Sequence, residues 1–583
     1  MSLHARSKKA FVMTQPSLLW FLSNKFSLIV EDVLVFVAVL LYFVAGRRIH
    51  ETLTRQASVL ALAVGSIYLR PVVETVISFS FGAVASSNTN HIDIPKSRPL
   101  QSPLRPYADS GLTVGICLFP LLFVPTNGGD KVAMSLLFAV CVASGVFVLV
   151  SIASGNFDDL DKTPPIVVMR ELLLSFLLSL VCCYLYLPPQ GDVTTLFLVA
   201  TMSCLFPVFM RICIYCLRGS FSMAEAIIIS ESSLCVLVYA VVCLQTWKND
   251  APIDDTVRVL HYATFSLAIT TVLFLFGYSY LFSLLDGNNR WRGKPRRQRE
   301  PKQENSNDYS LMNTCCFFGY FVVVLLLCYF WLTCFVVRPE KIIFGYFLTS
   351  WSAICLAVYW IAMLCFVLFL LPPHHLSLAP IVARKYYHLV LFFILLPSLF
   401  LQAAFVGFCS IVALLLLVLV ELGRASHVYG IRWLVNDYMS ALIDHRDNGT
   451  IYMTHLYLLL GSCFPLWCQN HPCSLLGMSG IVTLGVVDTA TACLGTFYGK
   501  RKWPGTLKTM EGTFSGMLLG ICCCYLLYMQ CKQSTSLDSS ILFVLTTSYL
   551  LSTLLEAFTT QIDNLVVPLY HYVILRQCII IAL

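Results

Sequence analysis

Apolar runs of about 20 residues recur along the whole chain, separated by short polar breaks, with clear examples at 132–153, 172–187, 318–337, 399–420 and 512–529. A helix needs about 20 apolar residues to cross the ~30 Å hydrocarbon core of a bilayer, so each run predicts a transmembrane helix. Barrel strands would alternate apolar and polar positions over about ten residues, and these runs are continuous. The pattern therefore predicts an all-α fold, a polytopic transmembrane helical bundle of about 15–17 spans, with the runs inside 389–420 the hardest to separate.

Composition strengthens that reading. The 583 residues are 58% hydrophobic and 12% charged, with a mean hydropathy of +0.78, and charge is about half the roughly 25% of a soluble domain. The net charge of +7 is modest and sits in loops, as expected where Lys and Arg mark the cytoplasmic side, so it excludes a nucleic-acid footprint. Most of the 25 cysteines lie within apolar runs and are expected to be small buried hydrophobes. Cys468 and Cys473 alone share a short loop at a spacing that suits a disulfide, although spacing does not establish a pairing. Arg6, Lys8 and Lys9 precede a broken apolar stretch with no small-residue cleavage site, which predicts a retained signal-anchor.

A hydrophilic segment carrying Arg290, Arg292, Lys294, Arg296, Arg297, Arg299 and Lys302 divides the chain. Its Pro and Gln content and lack of apolar periodicity predict a disordered cytosolic linker. Three regions follow: an N-terminal transmembrane region at 1–285, the basic linker at 286–310, and a C-terminal transmembrane catalytic region at 311–583 with its polar loop at 485–513. Counting spans onward from the linker in pairs returns Arg384 and Lys385, then Arg424, Arg432, Asp444, Arg446 and Asp447, then Lys500, Arg501, Lys502 and Lys508, and finally Gln561, Asp563 and Asn564 to the same face. The N-terminal half is less regular, because Arg6 to Lys9 and Arg47 to Arg55 flank a single span. Asp158, Asp159 and Asp161 read as a solvated loop rather than a metal site. Asn448-Gly449-Thr450 matches a glycosylation sequon, but the count places it in the cytosol, where it would go unused.

The chemistry concentrates in GVVDTATACLGTFYGKRKWPGTLKTMEGT, residues 485–513. On a helix Asp488, Ala492, Gly495 and Gly499 share one face. Small residues alone would serve close helix packing; an aspartate near the membrane interface is expensive and points to function. Lys500, Arg501 and Lys502 are followed by a rigid Trp503-Pro504-Gly505-Thr506 turn, then by Lys508-Thr509 and Glu511-Gly512 at the start of another helix. Glycine-turn amides, the positive end of a helix and lysine ammoniums together make an anion cradle that suits a triphosphate. Positive-inside anchoring would explain only the first three cations. The Walker pattern is absent, so soluble P-loop chemistry is not implied.

WPGTLKTMEGT, preceded by DTATACLGTFYG, resembles the nucleotide-binding signature of the dolichol kinase family, within the CTP-dependent polyprenol, phytol and diacylglycerol kinases. The resemblance extends to Arg384-Lys385-Tyr386-Tyr387-His388, Asp444-His445-Arg446-Asp447, Thr454 to Gly461, and Leu555-Glu556-Ala557 through Gln561-Ile562-Asp563-Asn564-Leu565, about the last third of the chain. It implies transfer of the γ-phosphate of CTP to the terminal hydroxyl of dolichol, giving dolichyl phosphate for protein glycosylation. It also implies a multi-pass protein of the endoplasmic reticulum membrane whose active site faces the cytosol. Two positions depart from the family pattern: Val487 stands where glycine is expected, and Leu507 where a second lysine is expected.

On this reading CTP is held by Gly495, Gly499, Lys500, Arg501, Lys502, Trp503, Pro504, Gly505, Thr506, Lys508, Thr509 and Gly512. Asp488, Lys508 and Glu511 are the catalytic set. Asp488 and Glu511 are the expected ligands of a divalent metal, Mg²⁺ in the first instance, with Asp488 alternatively accepting the prenol proton. Arg384, Lys385 and His388 either reach phosphate, orient the prenol or snorkel at a helix end. Arg446 and Asp447 either shape their loop as an ion pair or act in the site, and Glu556 and Asp563 either bind metal or cap the site. The expected partners are CTP, dolichol and the bilayer, with no nucleic acid. Rival readings are a kinase or cytidylyltransferase acting on another prenol or on diacylglycerol, and a transporter, whose charges should approach the midplane rather than collect on one face.

Overall fold

The computed structural model describes residues 18–48, 53–85, 104–105, 110–123, 131–154, 165–186, 193–246, 256–285, 306–334, 336, 338–370, 380–429, 431, 449–469, 474–532 and 538–582. The first half contributes helices α1 (Leu18–Arg48), α2 (Leu53–Ala85), α3 (Leu112–Leu122), α4 (Lys131–Ala153), α5 (Pro165–Tyr186), α6 (Val193–Ser203), α7 (Leu205–Arg211), α8 (Met223–Thr246), α9 (Thr256–Leu273) and α10 (Ser279–Leu285). The second contributes α11 (Ser306–Thr333), α12 (Pro339–Thr349), α13 (Trp351–Leu370), α14 (Pro380–Ala425), α15 (Thr454–Trp467), α16 (Leu475–Val482), α17 (Asp488–Tyr498), α18 (Met510–Lys532), α19 (Ser539–Phe558) and α20 (Asp563–Ala582). Pairing between extended segments is confined, among the described residues, to an isolated antiparallel bridge between Lys502 and Thr509. The protein is an all-α, polytopic membrane bundle.

Twelve helices among the described residues are long and apolar enough to cross a membrane, or thirteen if the pair Pro339–Tyr346 and Trp351–Phe366, bent by 73°, forms one span. The 15–17 spans expected refer to the whole chain; among the described residues the fold merges or shortens some of the apolar stretches. The 46 residues of α14 form one element with a break at Gln402, φ −153° and ψ 71°; a straight helix of that length would run roughly 69 Å, about twice the hydrocarbon thickness. The Gln402 side chain is held at this break by the Tyr346 hydroxyl at 2.6 Å and by donating to Ser352 at 2.7 Å. Helices α3 and α15 span only 11 and 14 residues.

Large apolar side chains cover the outside, as a lipid-facing surface requires. Helix α18, for example, exposes Phe514, Leu518, Leu519 and Leu526. Inside, one continuous buried cluster runs from Leu34 on α1 to Cys578 on α20, so both halves of the chain share a core. The Tyr570 hydroxyl of α20 donates to the Leu34 carbonyl of α1 at 2.7 Å. Several charged groups inside this bundle are compensated locally: Arg70 pairs with Glu31 at 3.2 Å, and Arg211 with Glu171 at 2.7 Å, whereas Glu231 of α8 is buried with neither carboxylate oxygen hydrogen-bonded among the described residues.

Several sequence expectations fall outside the described residues: the cations Arg6, Lys8 and Lys9, the aspartates Asp158, Asp159 and Asp161, the linker cations at 290–302, Arg432, Asp444, Arg446, Asp447, Asn448 and Cys473. Residues 306–310, read as the end of the linker, form the first turns of α11.

Close approach of α15 and α20 depends on Gly461. A Cβ there would lie 2.1 Å from the Asn564 carbonyl and 2.8 Å from Pro568 Cγ. Gly461→Ala would add at most about 1 kcal/mol of helix propensity, against an overpacking cost of about 1–3 kcal/mol or more where backbone is struck. The variant is expected to unfold at a lower temperature than wild type in detergent, measured by thermal scanning fluorimetry; an unchanged or raised midpoint would contradict this packing.

Candidate active site

The polar loop folds back as a short hairpin between α17 and α18. The Trp503 N–H donates to the Lys508 carbonyl at 3.0 Å, and the Met510 N–H to the Arg501 carbonyl at 2.8 Å. At its tip, Thr506 N–H returns to the Trp503 carbonyl at 3.2 Å, and Gly505 adopts φ +77°. Pro504 followed by a positive-φ glycine is the chemistry of a type II turn, in which a side chain at Gly505 would be strained. Trp503 anchors the hairpin, its indole N–H donating to Thr513 Oγ1 at 3.0 Å and its ring lying 5.5 Å from that of Phe558. The Thr506 hydroxyl accepts from the Lys508 N–H at 3.2 Å, and the Thr509 hydroxyl from the Gly512 N–H at 3.3 Å.

Helix α17 is preceded by a π-helical turn, Thr483–Val487, a feature that re-aims side chains within a helix. Gly485 in that turn lets Phe392 of α14 approach, since a Cβ would lie 2.5 Å from Phe392 Cβ. The predicted small-residue face is real and is used for packing: a Cβ on Gly512 would meet the Thr491 carbonyl at 2.6 Å, and one on Gly499 would meet Thr509 Cγ2 at 2.6 Å. Val487 is buried, and its Cγ2 would lie 2.6 Å from a Cβ on Gly520. Space for the valine thus comes from a glycine on α18. Leu507 projects into the open at the hairpin tip, 86% exposed.

Behind the hairpin, charged groups from five segments meet. Lys385 of α14 donates to both oxygens of Asp488, at 2.6 and 2.5 Å, and His388 Nδ1 lies 2.7 Å from Asp488 Oδ2. All three side chains are buried. The Thr491 hydroxyl, one turn along α17, donates to Glu556 Oε1 of α19 at 2.9 Å. Lys508 of the hairpin donates to the same oxygen at 2.9 Å and lies 3.6 Å from Asp563 Oδ2 at the start of α20. Burial by itself would lower the Lys508 ammonium, but the Glu556, Asp563 and Asp488 carboxylates outweigh it and hold the group above the ordinary lysine range. Lys508 therefore stays cationic throughout the physiological range. Glu556 Oε2 is buried without a hydrogen-bond partner among the described residues.

Asp488 and Glu511, grouped from the sequence as metal ligands, occupy different settings. Asp488 is buried in the ion-paired network, whereas the exposed side of the hairpin holds Glu511, whose carboxylate accepts the Lys500 and Arg501 N–H groups at 3.1 Å. The side chains of Lys500, Arg501 and Lys502 are exposed. Lys385 and His388 enter the site rather than snorkelling, and Glu556 and Asp563 converge on Lys508. Thr491 was not singled out from the sequence; its position three residues after Asp488, on the same helical face, was the available signal. Arg446 and Asp447 lie outside the described residues.

No family model matches the chain, and no solved structure matches it. Curated proteins do. It is 32% identical over 207 residues to the dolichol kinase of Homo sapiens, covering 34% of this chain and 38% of the human protein. The chain is similar to dolichol kinases. Dolichol kinase EVAN of Arabidopsis thaliana is 32% identical over 198 residues, covering 33% of this chain and 35% of the relative. The dolichol kinase of Saccharomyces cerevisiae is 27% identical over 195 residues, covering 33% and 36%. The chain thus spans well under half the length of the curated relatives it matches.

Removing one member of a buried ion pair strands the other charge and costs about 3–5 kcal/mol, whereas replacing both with apolar groups is often neutral. Lys385→Met should therefore lower the thermal midpoint in detergent, and Lys385→Met combined with Asp488→Leu should recover much of the loss. A double variant no more stable than the single one would show that the pair is not the stabilising element.

Proposed function

We propose that this protein is a CTP-dependent dolichol kinase, transferring the γ-phosphoryl group of CTP to the terminal hydroxyl of dolichol. The observation that carries the reading is the paired lysine–carboxylate network, Lys385–Asp488 and Lys508–Glu556–Asp563, packed behind a hairpin that displays three cations. The names of the similar dolichol kinases support dolichol as the acceptor, and the resemblance of 485–513 to the family's nucleotide-binding signature supports CTP as the donor. The resemblance also supports an endoplasmic reticulum membrane location with the site facing the cytosol, and dolichyl phosphate as the product used in glycosylation.

Phosphoryl transfer asks a protein mainly to position the reactants and to neutralise charge spreading over the transferred group. Lys500, Arg501 and Lys502 attract and bind the phosphates from the exposed side of the hairpin, while Glu511 holds the hairpin backbone in the shape that presents them. Lys508 is aimed inward, where its ammonium meets the transferred group beside the carboxylates. Asp488 and Glu556 supply hard oxygen donors, the donor type magnesium takes, and Glu556 Oε2 has a lone-pair face with no hydrogen-bond partner. Among the described residues no three His, Cys, Asp or Glu side chains form a metal cage, which fits an ion that completes its shell with substrate phosphates and water. Magnesium, when bound there, would neutralise phosphate charge. The polyisoprenoid tail lies along the apolar outside of the spans, leaving its hydroxyl at the interface.

Purified protein in nanodiscs, given γ-labelled CTP and a panel of dolichol, other prenols and diacylglycerol, should label dolichol in preference to the others. Lys508→Ala and Asp488→Asn should each lower the rate by about 10²–10³-fold, the loss typical of removing a group that stabilises transition-state charge. Label confined to a non-dolichol lipid would redirect the assignment to a related kinase; γ-label released as pyrophosphate, with cytidine-labelled CTP marking the lipid instead, would make it a cytidylyltransferase; undiminished activity in both variants would displace the site.

A further inference from the structure

The turn that presents Asp563 to Lys508 is held from the other half of the chain. Glu225, at the start of α8, is fully buried and receives a two-pronged pair from Arg105, with Nη1 to Oε2 at 2.9 Å and Nη2 to Oε1 at 2.7 Å. The same carboxylate accepts the Ile562 N–H at 3.1 Å, immediately before Asp563. Ser222 and Glu225 form a reciprocal capping box on α8, each side chain accepting the other's N–H at 3.2 Å. The Ser222 hydroxyl also donates to the Gln561 side chain. Gly111, at φ +54°, leaves room for Gln561, since a Cβ there would meet its Nε2 at 2.6 Å.

A buried arginine–carboxylate pair contributes little net stability over apolar packing, so its use here calls for a geometric reason. Two rigid charge-assisted hydrogen bonds fix the carboxylate, and the carboxylate fixes a backbone N–H one residue from a charged group of the site. We propose that Glu225, clamped by Arg105, is a positioning residue for phosphoryl transfer: it holds the 559–562 turn and so sets Asp563 against Lys508. The N-terminal spans are then part of the catalytic scaffold. This rests on the kinase reading above, and on Asp563 acting through Lys508.

The test uses full-length Glu225→Gln, alone and with Asp563→Asn, in nanodiscs. Two readouts are taken, hydrogen–deuterium exchange of peptides covering 559–564 and kcat with KM for CTP. Glu225→Gln is expected to speed exchange of the Ile562 amide selectively and to lower kcat about tenfold, the scale of a modest misplacement, with little change in KM. In the Asp563→Asn background the same substitution should have little further effect. A merely structural role would scale down active protein equally in both backgrounds, and that result, or unchanged exchange, overturns the proposal. If Glu225→Gln does not fold, Ser222→Ala, which releases the Gln561 contact and the hydroxyl that caps the Glu225 N–H, is read in the same two assays, with the same outcomes deciding. Wild-type protein without CTP-dependent phosphorylation would refute the kinase reading and catalytic positioning with it, while the exchange arm would still decide whether Glu225 holds the turn.

Discussion

A charge inside an apolar bundle must find its opposite, and the organisation of this protein follows from that requirement. Asp488 sits in an apolar span, and Lys385 and His388 come from α14 to meet it. Glu556 lies near the end of α19, and Lys508 reaches it from a hairpin that would otherwise point into water. Through these contacts α14, α17, the hairpin, α19 and α20 are tied to one locus. The same groups that make burial tolerable are those to which we assign phosphate and metal, so the proposed chemistry and the stability of the bundle would draw on one set of side chains.

The backbone around the network is arranged to allow close approach. Gly485 admits Phe392, Gly512 admits the Thr491 carbonyl, and Gly520 makes space for Val487. This accounts for the two departures from the family pattern. Val487 is accommodated by a glycine on the facing helix, and Leu507 lies at the solvent-facing tip, away from the inward-directed Lys508. Glu511 satisfies two hairpin amides, which leaves the cations of 500–502 turned outward for an anionic ligand.

Besides the shared core, the two halves of the chain meet through loops at the segment Arg218 to Glu225. Thr450 N–H donates to the Arg218 carbonyl at 3.1 Å, Ile451 N–H to the Ser220 hydroxyl at 3.0 Å, and Ile562 N–H to Glu225 at 3.1 Å. The N-terminal spans therefore dock their loops against the segments that carry the candidate site.

By itself the sequence determined the membrane class, the α-helical content and the tight turn within 485–513, because each rests on local composition and spacing that a bilayer and a turn constrain directly. It also carried the lysine and carboxylate candidates, since charge in an apolar run is conspicuous. It did not determine where the long apolar run of α14 is interrupted, because Gln402 breaks it through contacts with Tyr346 and Ser352 that lie about 50 residues away. Nor did it separate Glu511, which braces a hairpin, from Glu556, which shares Lys508 with Asp563. Arg105 and Glu225 were invisible, and Thr491 was marked only by its spacing from Asp488, for the same reason: their contacts depend on partners from 65 to 337 residues distant, and only the tertiary structure brings such pairs within hydrogen-bonding range.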